Sequence, residues 1–260
     1  MEGLLSKGKI SFIGDQIKEL FPTLSDIAIK RSLARLTAKG KVVSIYRGYY
    51  LIIPPQYMAR KILPPPLFID GLMKFLEKPY YVGLLNAAGF HGAAHQQPQE
   101  YFVFTNFPVL RPTKKENIKI NYISKKIIIE DFLEQKKTEA GFIKISNPAL
   151  TAIDLVQFDK RIGGLNRSAT VLNELAEAIK PEQITERLLK AAPVTAVQRL
   201  GYLLETVLSN KEMGDHLYKQ SKKAGLDFFR VPLKLSAATK GFPSDERWKV
   251  IINSEIEVDE

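Results

Sequence analysis

The sequence predicts an α+β protein built from two domains, and three observations carry that expectation. Strand-like stretches, "EYFVFT" and "NIKINY" among them, come first and helical stretches follow in a block, which is the order of α+β rather than of a doubly wound sheet. Five of the 15 prolines lie between Pro54 and Pro66, a run that reads as a stiff, extended connector. Positive charge is concentrated ahead of that connector. Residues 1–62 hold 11 Lys/Arg against four acids, a surplus of +7, while residues 63–260 hold 27 against 24, leaving +3 of the net +10. These marks predict a domain over residues 1–60, a proline-rich linker over 61–66 and a larger mixed α+β domain over 67–260.

The elements follow in chain order. Residues 1–53 read as helix, short strand, helix, helix and hairpin. In "GDQIKELF" the apolar Ile17, Leu20 and Phe21 share a helical face, and Pro22 stops the helix. The next helix starts at Ser25, an N-cap residue with Asp26 in the favourable first turn, and ends at Gly40, a C′ glycine. "KVVSIY" and "YYLII" flank Arg47-Gly48, and a two-residue loop ending in glycine between β-branched and aromatic runs is a hairpin signal. Beyond the linker, "FIDGLMKFLEK" and "YYVGLLNAAGF" read as helices. "EYFVFT", the alternating "NIKINY", "KKIII" and "AGFIKIS" read as strands. Helices are expected over 148–158, 166–179, 181–191 and 194–208, then a last strand in "RWKVIIN" and a frayed acidic end.

Composition sets outer limits. A chain of 260 residues with 45% hydrophobic content can bury a core without covalent staples. The absence of Cys excludes disulfides and thiolate metal sites, and the simplest home is the reducing cytoplasm. The N-terminal "MEGLLSKGKISF" has no apolar run of signal-peptide kind, and no stretch approaches the roughly 18 apolar residues of a membrane span, so no membrane association is expected.

On a wheel of about 100° per residue, Ile29, Leu33 and Leu36 form the buried stripe of the helix that starts at Ser25. The opposite face carries Ile27, Arg31, Ala34 and Ala38, with Arg35 beside it and Lys30 on a flank. Small residues let a helix approach a major groove closely, and arginines reach guanine edges or phosphates. The preceding helix and the "PTLS" turn complete a helix-turn-helix, and the hairpin after it makes a wing tipped by Arg47. The expected DNA-binding set is therefore Lys30, Arg31, Arg35, Lys39, Lys41 and Arg47. The bland alternative is a basic face that serves solubility alone.

Other stretches are weaker. His91 and His95 stand four apart, but Gly89 and Gly92 favour a turn and no Cys or adjacent Glu accompanies them, so no metal site is expected. Lys160, Arg161, two glycines and Arg167 precede a helix with Asn166 as its expected N-cap, an arrangement that can hold an anion, though the Gly-Lys-Ser/Thr ending of a P-loop is missing. Asp154 and Glu205 lie in apolar helices, each a candidate for burial against Arg161 or Arg199. Trp248, Tyr80, Tyr81 and Phe90 read as core. No Ser-His-Asp set or nucleophile elbow is present, so neither catalysis nor a cofactor is expected.

Several stretches together resemble one family. "LARLTAKGKVVSIYRGYYLI" resembles the N-terminal winged helix-turn-helix of AbiEi-type antitoxins. "PYYVGLLNAAGFHG" is similar to that family's tyrosine-led helix, and "ISNPALTAIDLVQF" to its S-x-P-x-x-T-x-x-D segment. "GGLNRSATVLNEL" and "QRLGYLLE" are similar to its later helices. One departure is Asn147-Pro148-Ala149-Leu150, where the family's pattern is more acidic. The resemblance implies a type IV toxin–antitoxin system of phage defence. Its antitoxin represses its own promoter on double-stranded DNA and counters a nucleotidyltransferase-like toxin without a stable complex. Two other readings stand beside it. One is a nuclease or nucleotide-handling enzyme delivered by the winged domain, which needs a carboxylate cluster or metal site in residues 67–260. The other is a protein-interaction adaptor, which an internally occupied basic face would favour.

Overall fold

The computed structural model describes residues 2–6, 8–93 and 98–258. The chain forms two compact units. The first comprises Met1–Val82, Gln99–Ile128 and Gln135–Lys144, and the second Gly83–Pro98, Ile129–Glu134 and Ile145–Glu260. Helices and several sheets are mixed along it, so the expected α+β class holds.

The first unit opens with a short helix α1 (Glu2–Leu5), strand β1 (Ser11–Ile13), helices α2 (Gly14–Leu20) and α3 (Asp26–Ala38), and the hairpin β2 (Val42–Tyr46) and β3 (Tyr49–Ile52). The three strands form an antiparallel sheet in the order β1-β3-β2. Phe12, Ile17, Ile29, Leu33, Val42 and Ile52 make its core, with Leu36 packed against it. This is the helical stripe and strand alternation of the sequence, closed on itself.

The proline-rich stretch is more structured than an extended connector. A 3-10 helix spans Pro55–Arg60, and α4 runs from Pro65 to Phe75 with proline in its first turn, where the missing N–H costs nothing. Ile62 and Leu63 between them are buried. The expected helix over Tyr80–Phe90 is instead a strand, β4 (Tyr80–Val82), followed by α5 (Leu84–Phe90). All three residues of β4 are buried, and a short run that is apolar on both faces carries no period to separate strand from helix. Strands β5 (Glu100–Thr105), β6 (Thr113–Lys115), β7 (Ile118–Ser124), β8 (Leu133–Thr138) and β9 (Gly141–Ser146) complete a six-stranded sheet of order β6-β7-β5-β4-β9-β8. The pairing is mixed: β5 runs parallel to β7, while β4 and β6 run antiparallel to their partners β5 and β7. "KKIII" is not a strand. It leads into a 3-10 turn at Glu130–Phe132, with Ile127 exposed.

The second unit is mostly helical. It contains α6 (Pro148–Gln157), α7 (Leu165–Leu175), α8 (Glu186–Ala191), α9 (Val194–Tyr202) and α10 (Lys211–Lys223). A π-helical turn, Leu203–Val207, continues α9. The helix expected over 181–191 is split into a 3-10 turn at Pro181–Gln183 and α8. A two-stranded parallel ribbon pairs β10 (Val231–Pro232) with β11 (Val250–Ile251), the latter inside "RWKVIIN". Trp248 is fully buried, as expected for core, and its indole packs against Tyr218 and Phe228.

Candidate nucleic-acid interface

Helix α3 is fixed at both ends. The Ser25 hydroxyl accepts a hydrogen bond from the Ala28 N–H at 3.2 Å, satisfying one of the free amides of the first turn. Lys18 on α2 reaches Asp26 at 2.9 Å, and this contact holds the Asp26 carboxyl below its usual pKa. At the other end Gly40 takes a positive φ of 65°, and the Lys41 N–H returns to the Leu36 carbonyl. Ile29 and Leu33 bury one face of the helix. The opposite face is open, with Ile27 64% exposed beside Arg31, Ala34 and Ala38.

The hairpin is anchored at its turn. Gly48 turns with φ 84°, and its carbonyl accepts from the Gly14 N–H at 2.9 Å. A register shift between Ser44 and Tyr46 twists β2, and the Phe12 and Tyr50 rings stack at 5.3 Å across the sheet. Arg47 is thus exposed on a turn that the start of α2 holds in place.

All six predicted cations, Lys30, Arg31, Arg35, Lys39, Lys41 and Arg47, are exposed, and none forms a salt bridge among the described residues. They lie on one helix, the turn after it and the adjoining hairpin tip. An exposed face of unneutralised cations attracts a polyanion, and its small residues permit close approach. The adaptor reading looked for a basic face already occupied by the chain itself; this face is open.

In the second unit, Lys160 and Arg161 sit on a 3-10 turn, Asp159–Arg161, ahead of α7, and both are exposed, as is Arg167. The N-cap of α7 is Gly164 at φ 98°, with no side-chain cap. Asn166 lies inside the helix, because two glycines of positive φ start it earlier than the Asn signal suggests. Glu205 has partners other than the expected Arg161 or Arg199. Arg199 reaches Asp159 at 3.4 Å, and Arg161 stays outside. Burial lowers the pKa of the Arg199 guanidinium, and Asp159 opposes that shift. Glu205, on the π-helical turn, accepts from Trp248 Nε1 at 2.8 Å and from Arg247 Nη1 at 2.9 Å. Arg247 also holds Asp215 at 2.7 Å and lies over the Tyr218 ring. No signal placed Arg247 there, since its partners lie on distant segments.

His91 has its Nε2 2.8 Å from the Ser146 carbonyl, and His95 lies outside the described residues. Among the described residues no group of three or more His, Cys, Asp or Glu side chains could hold a metal. The enzyme reading needed such a carboxylate or metal cluster.

Of the stretches that carried the family resemblance, those over 145–158, 163–175 and 198–205 lie in the second unit. Asn147 caps α6, its side chain accepting from the Leu150 N–H at 2.9 Å. The Ser146 and Thr151 hydroxyls meet at 2.6 Å, and Thr151 also donates to the Asn147 carbonyl. Ser168 on α7 donates to the Leu155 carbonyl of α6 at 3.0 Å. Ser146, Thr151, Asp154 and Ser168 are all fully buried.

Residues 81–206 match the family described as the AbiEi antitoxin C-terminal domain. This segment belongs to the AbiEi antitoxin family. The resemblance read in the sequence is borne out over these residues. Among curated proteins none matches the chain. The whole chain is similar in fold to the crystal structure of the RV2827C protein from Mycobacterium tuberculosis. The TM-score is 0.70 at 15% identity, over 96% of this chain and 88% of that one. Within the AbiEi match the departure at Asn147-Pro148-Ala149-Leu150 has a physical role: cap, first-turn proline and buried face of α6. Among the described residues no helix is long and apolar enough to cross a membrane.

Proposed function

We propose that this chain is the DNA-binding antitoxin and autorepressor of a type IV toxin–antitoxin system. Residues 1–60 act as a winged helix-turn-helix on the chain's own promoter, residues 61–66 join it to the rest, and residues 67–260 are the antitoxin part. The single observation that supports DNA binding is the open face of six unpaired cations on α3, its following turn and the hairpin tip. Arg31 and Arg35 meet base edges or phosphates in the major groove, Lys30, Lys39 and Lys41 hold phosphates, and Arg47 works from the wing. Lys160, Arg161 and Arg167 form a second, accessory anion contact. The AbiEi match supports a toxin as functional partner. The further reading is a nucleotidyltransferase-like toxin countered in the cytoplasm without a stable complex.

A gel shift on the promoter fragment at moderate salt tests the DNA reading. Arg31→Ala with Arg35→Ala is expected to abolish the shifted band while circular dichroism stays native, because both side chains project from the surface. An unchanged affinity would sink the assignment. Co-expression with the toxin encoded alongside tests the antitoxin reading: growth is rescued by the wild-type chain, and no toxin co-purifies.

A further inference from the structure

Helix α4 lies outside the stretch 1–60 read as the winged helix-turn-helix, yet it packs against the wing. The chain that leads to it is not free. Ile53 after β3, and Ile62 and Leu63 ahead of α4, are all buried. The Ile53 N–H donates to the Lys41 carbonyl at the foot of the hairpin. Both segments belong to the same compact unit.

The contact falls on the two residues that follow Arg47. Phe75, at the end of α4, sets its ring 5.4 Å from the ring of Tyr49, tilted by 35°. The same side chain meets the turn itself, since a Cβ on Gly48 would stand 3.5 Å from the Phe75 Cζ. Gly71 is four residues earlier on the same helical face. Its missing side chain leaves room for Tyr49, whose oxygen stands 2.5 Å from where a Gly71 Cβ would be. Tyr49 is 3% exposed, so its ring is fixed among these neighbours. The turn that carries Arg47 is therefore held by two elements: by α2, through the Gly14 N–H on the Gly48 carbonyl, and by α4, through the Tyr49 ring. A long cation on a loose turn must be ordered when it binds, and that cost falls when the turn is set beforehand.

We infer that Phe75 is a positioning residue for the wing. The α4 face of Gly71 and Phe75 fixes Gly48 and Tyr49, and through them presents Arg47 to DNA. The inference rests on the DNA reading and deepens it, because it moves the end of the DNA-binding module from residue 60 to the end of α4.

Salt titrations of promoter binding by the full chain, followed by fluorescence anisotropy, test it against Arg47→Ala. Losing the wing contact reduces the slope of log affinity against log salt by about 1. Phe75→Ala is expected to reduce it by a similar amount, and the double variant adds little, because both remove one contact. Phe75→Leu, which keeps an apolar contact on Tyr49, recovers part of the slope. Gly71→Ala presses on the Tyr49 oxygen without removing Phe75, acts in the same direction, and covers the case in which Phe75→Ala does not fold. A merely structural Phe75 would lower the melting temperature and leave the slope of the folded chain as it was. Hydrogen exchange of the free chain gives a reading without DNA. In Phe75→Ala the amides of residues 46–50 exchange at least about tenfold faster, while those of α3 keep their wild-type rates. Wild-type slopes in Phe75→Ala and Gly71→Ala, a wild-type slope in Arg47→Ala, or unchanged exchange at the turn overturns the inference and leaves the rest of the DNA reading standing. Wild-type binding with no salt dependence, or binding untouched by Arg31→Ala with Arg35→Ala, overturns the DNA reading and this inference with it.

Discussion

At the scale of single residues, close approach between distant segments governs the second unit. Gly201 in α9 stands where a Cβ would lie 2.2 Å from the Trp248 ring. The indole cannot give way easily, since it is fully buried and its Nε1–H is held by Glu205. Gly201→Ala therefore opposes two effects. Alanine favours the helix by up to about 1 kcal/mol, while overpacking a fixed core costs about 1–3 kcal/mol and occasionally more. A contact this short puts the cost at the upper end, so we expect a net loss of about 2 kcal/mol, seen as a lower urea midpoint with unchanged slope. Trp248→Phe in the same chain should recover part of it. A midpoint that does not fall would mean that the ring is not against Gly201. None of this was legible in the sequence. "QRLGYLLE" reads as a helix with one weak residue, and nothing local says that a tryptophan 47 positions later needs the space.

At the scale of elements, legibility followed periodicity and charge. Helix α3 and its hairpin declare themselves, because one face is apolar, the caps are standard and the turn glycine is unambiguous. Helix α10 does not, since its buried face is Met213, Gly214, Leu217 and Ser221, two of them small and hidden among charges. The β5–β7 pair shows what a parallel register adds. It sets Glu100 against Lys119, and Glu100 accepts hydrogen bonds from Lys119 and, at 2.6 Å, from Asn121. The Lys119 contact, with Asn121, holds the Glu100 carboxyl below its usual pKa against the opposing effect of burial. A carboxyl with a lowered folded-state pKa binds its proton more weakly folded than unfolded. Its contribution is therefore complete above the unfolded value of about 4.3 and is lost as pH falls through the lower folded value. At this exposure the gain is below about 1 kcal/mol. Glu100→Gln should thus lower stability slightly at pH 7 and flatten its decline between about pH 5 and 3, followed by chemical denaturation at each pH. A decline of wild-type steepness in the variant would remove the pair from the account.

For the whole molecule, charge is the property that crosses from sequence to function most directly. The +7 surplus of residues 1–62 was countable before any fold was known, and the six exposed cations of that stretch form no salt bridges among the described residues. What could not be counted was the inward side of the same unit. Tyr49 reads as a strand aromatic in the sequence, and only the fold shows its buried hydroxyl where a Cβ at Gly71 would stand 2.5 Å away. The open cations lead to a quantitative expectation for the full chain on promoter DNA. If all six neutralise phosphates, the logarithm of affinity should fall with the logarithm of salt concentration with a slope of about −5, since each contact contributes about −0.9. Arg47→Ala should reduce that slope by about 1. Arg31→Ala with Arg35→Ala should reduce it by up to about 2 and also erase the preference for promoter over unrelated DNA. Fluorescence anisotropy across about 50–300 mM salt separates these cases. A slope near zero would mean that the basic face does not meet DNA, whatever else the antitoxin domain does. A steep slope left unchanged by all three substitutions would place the contacts on another surface.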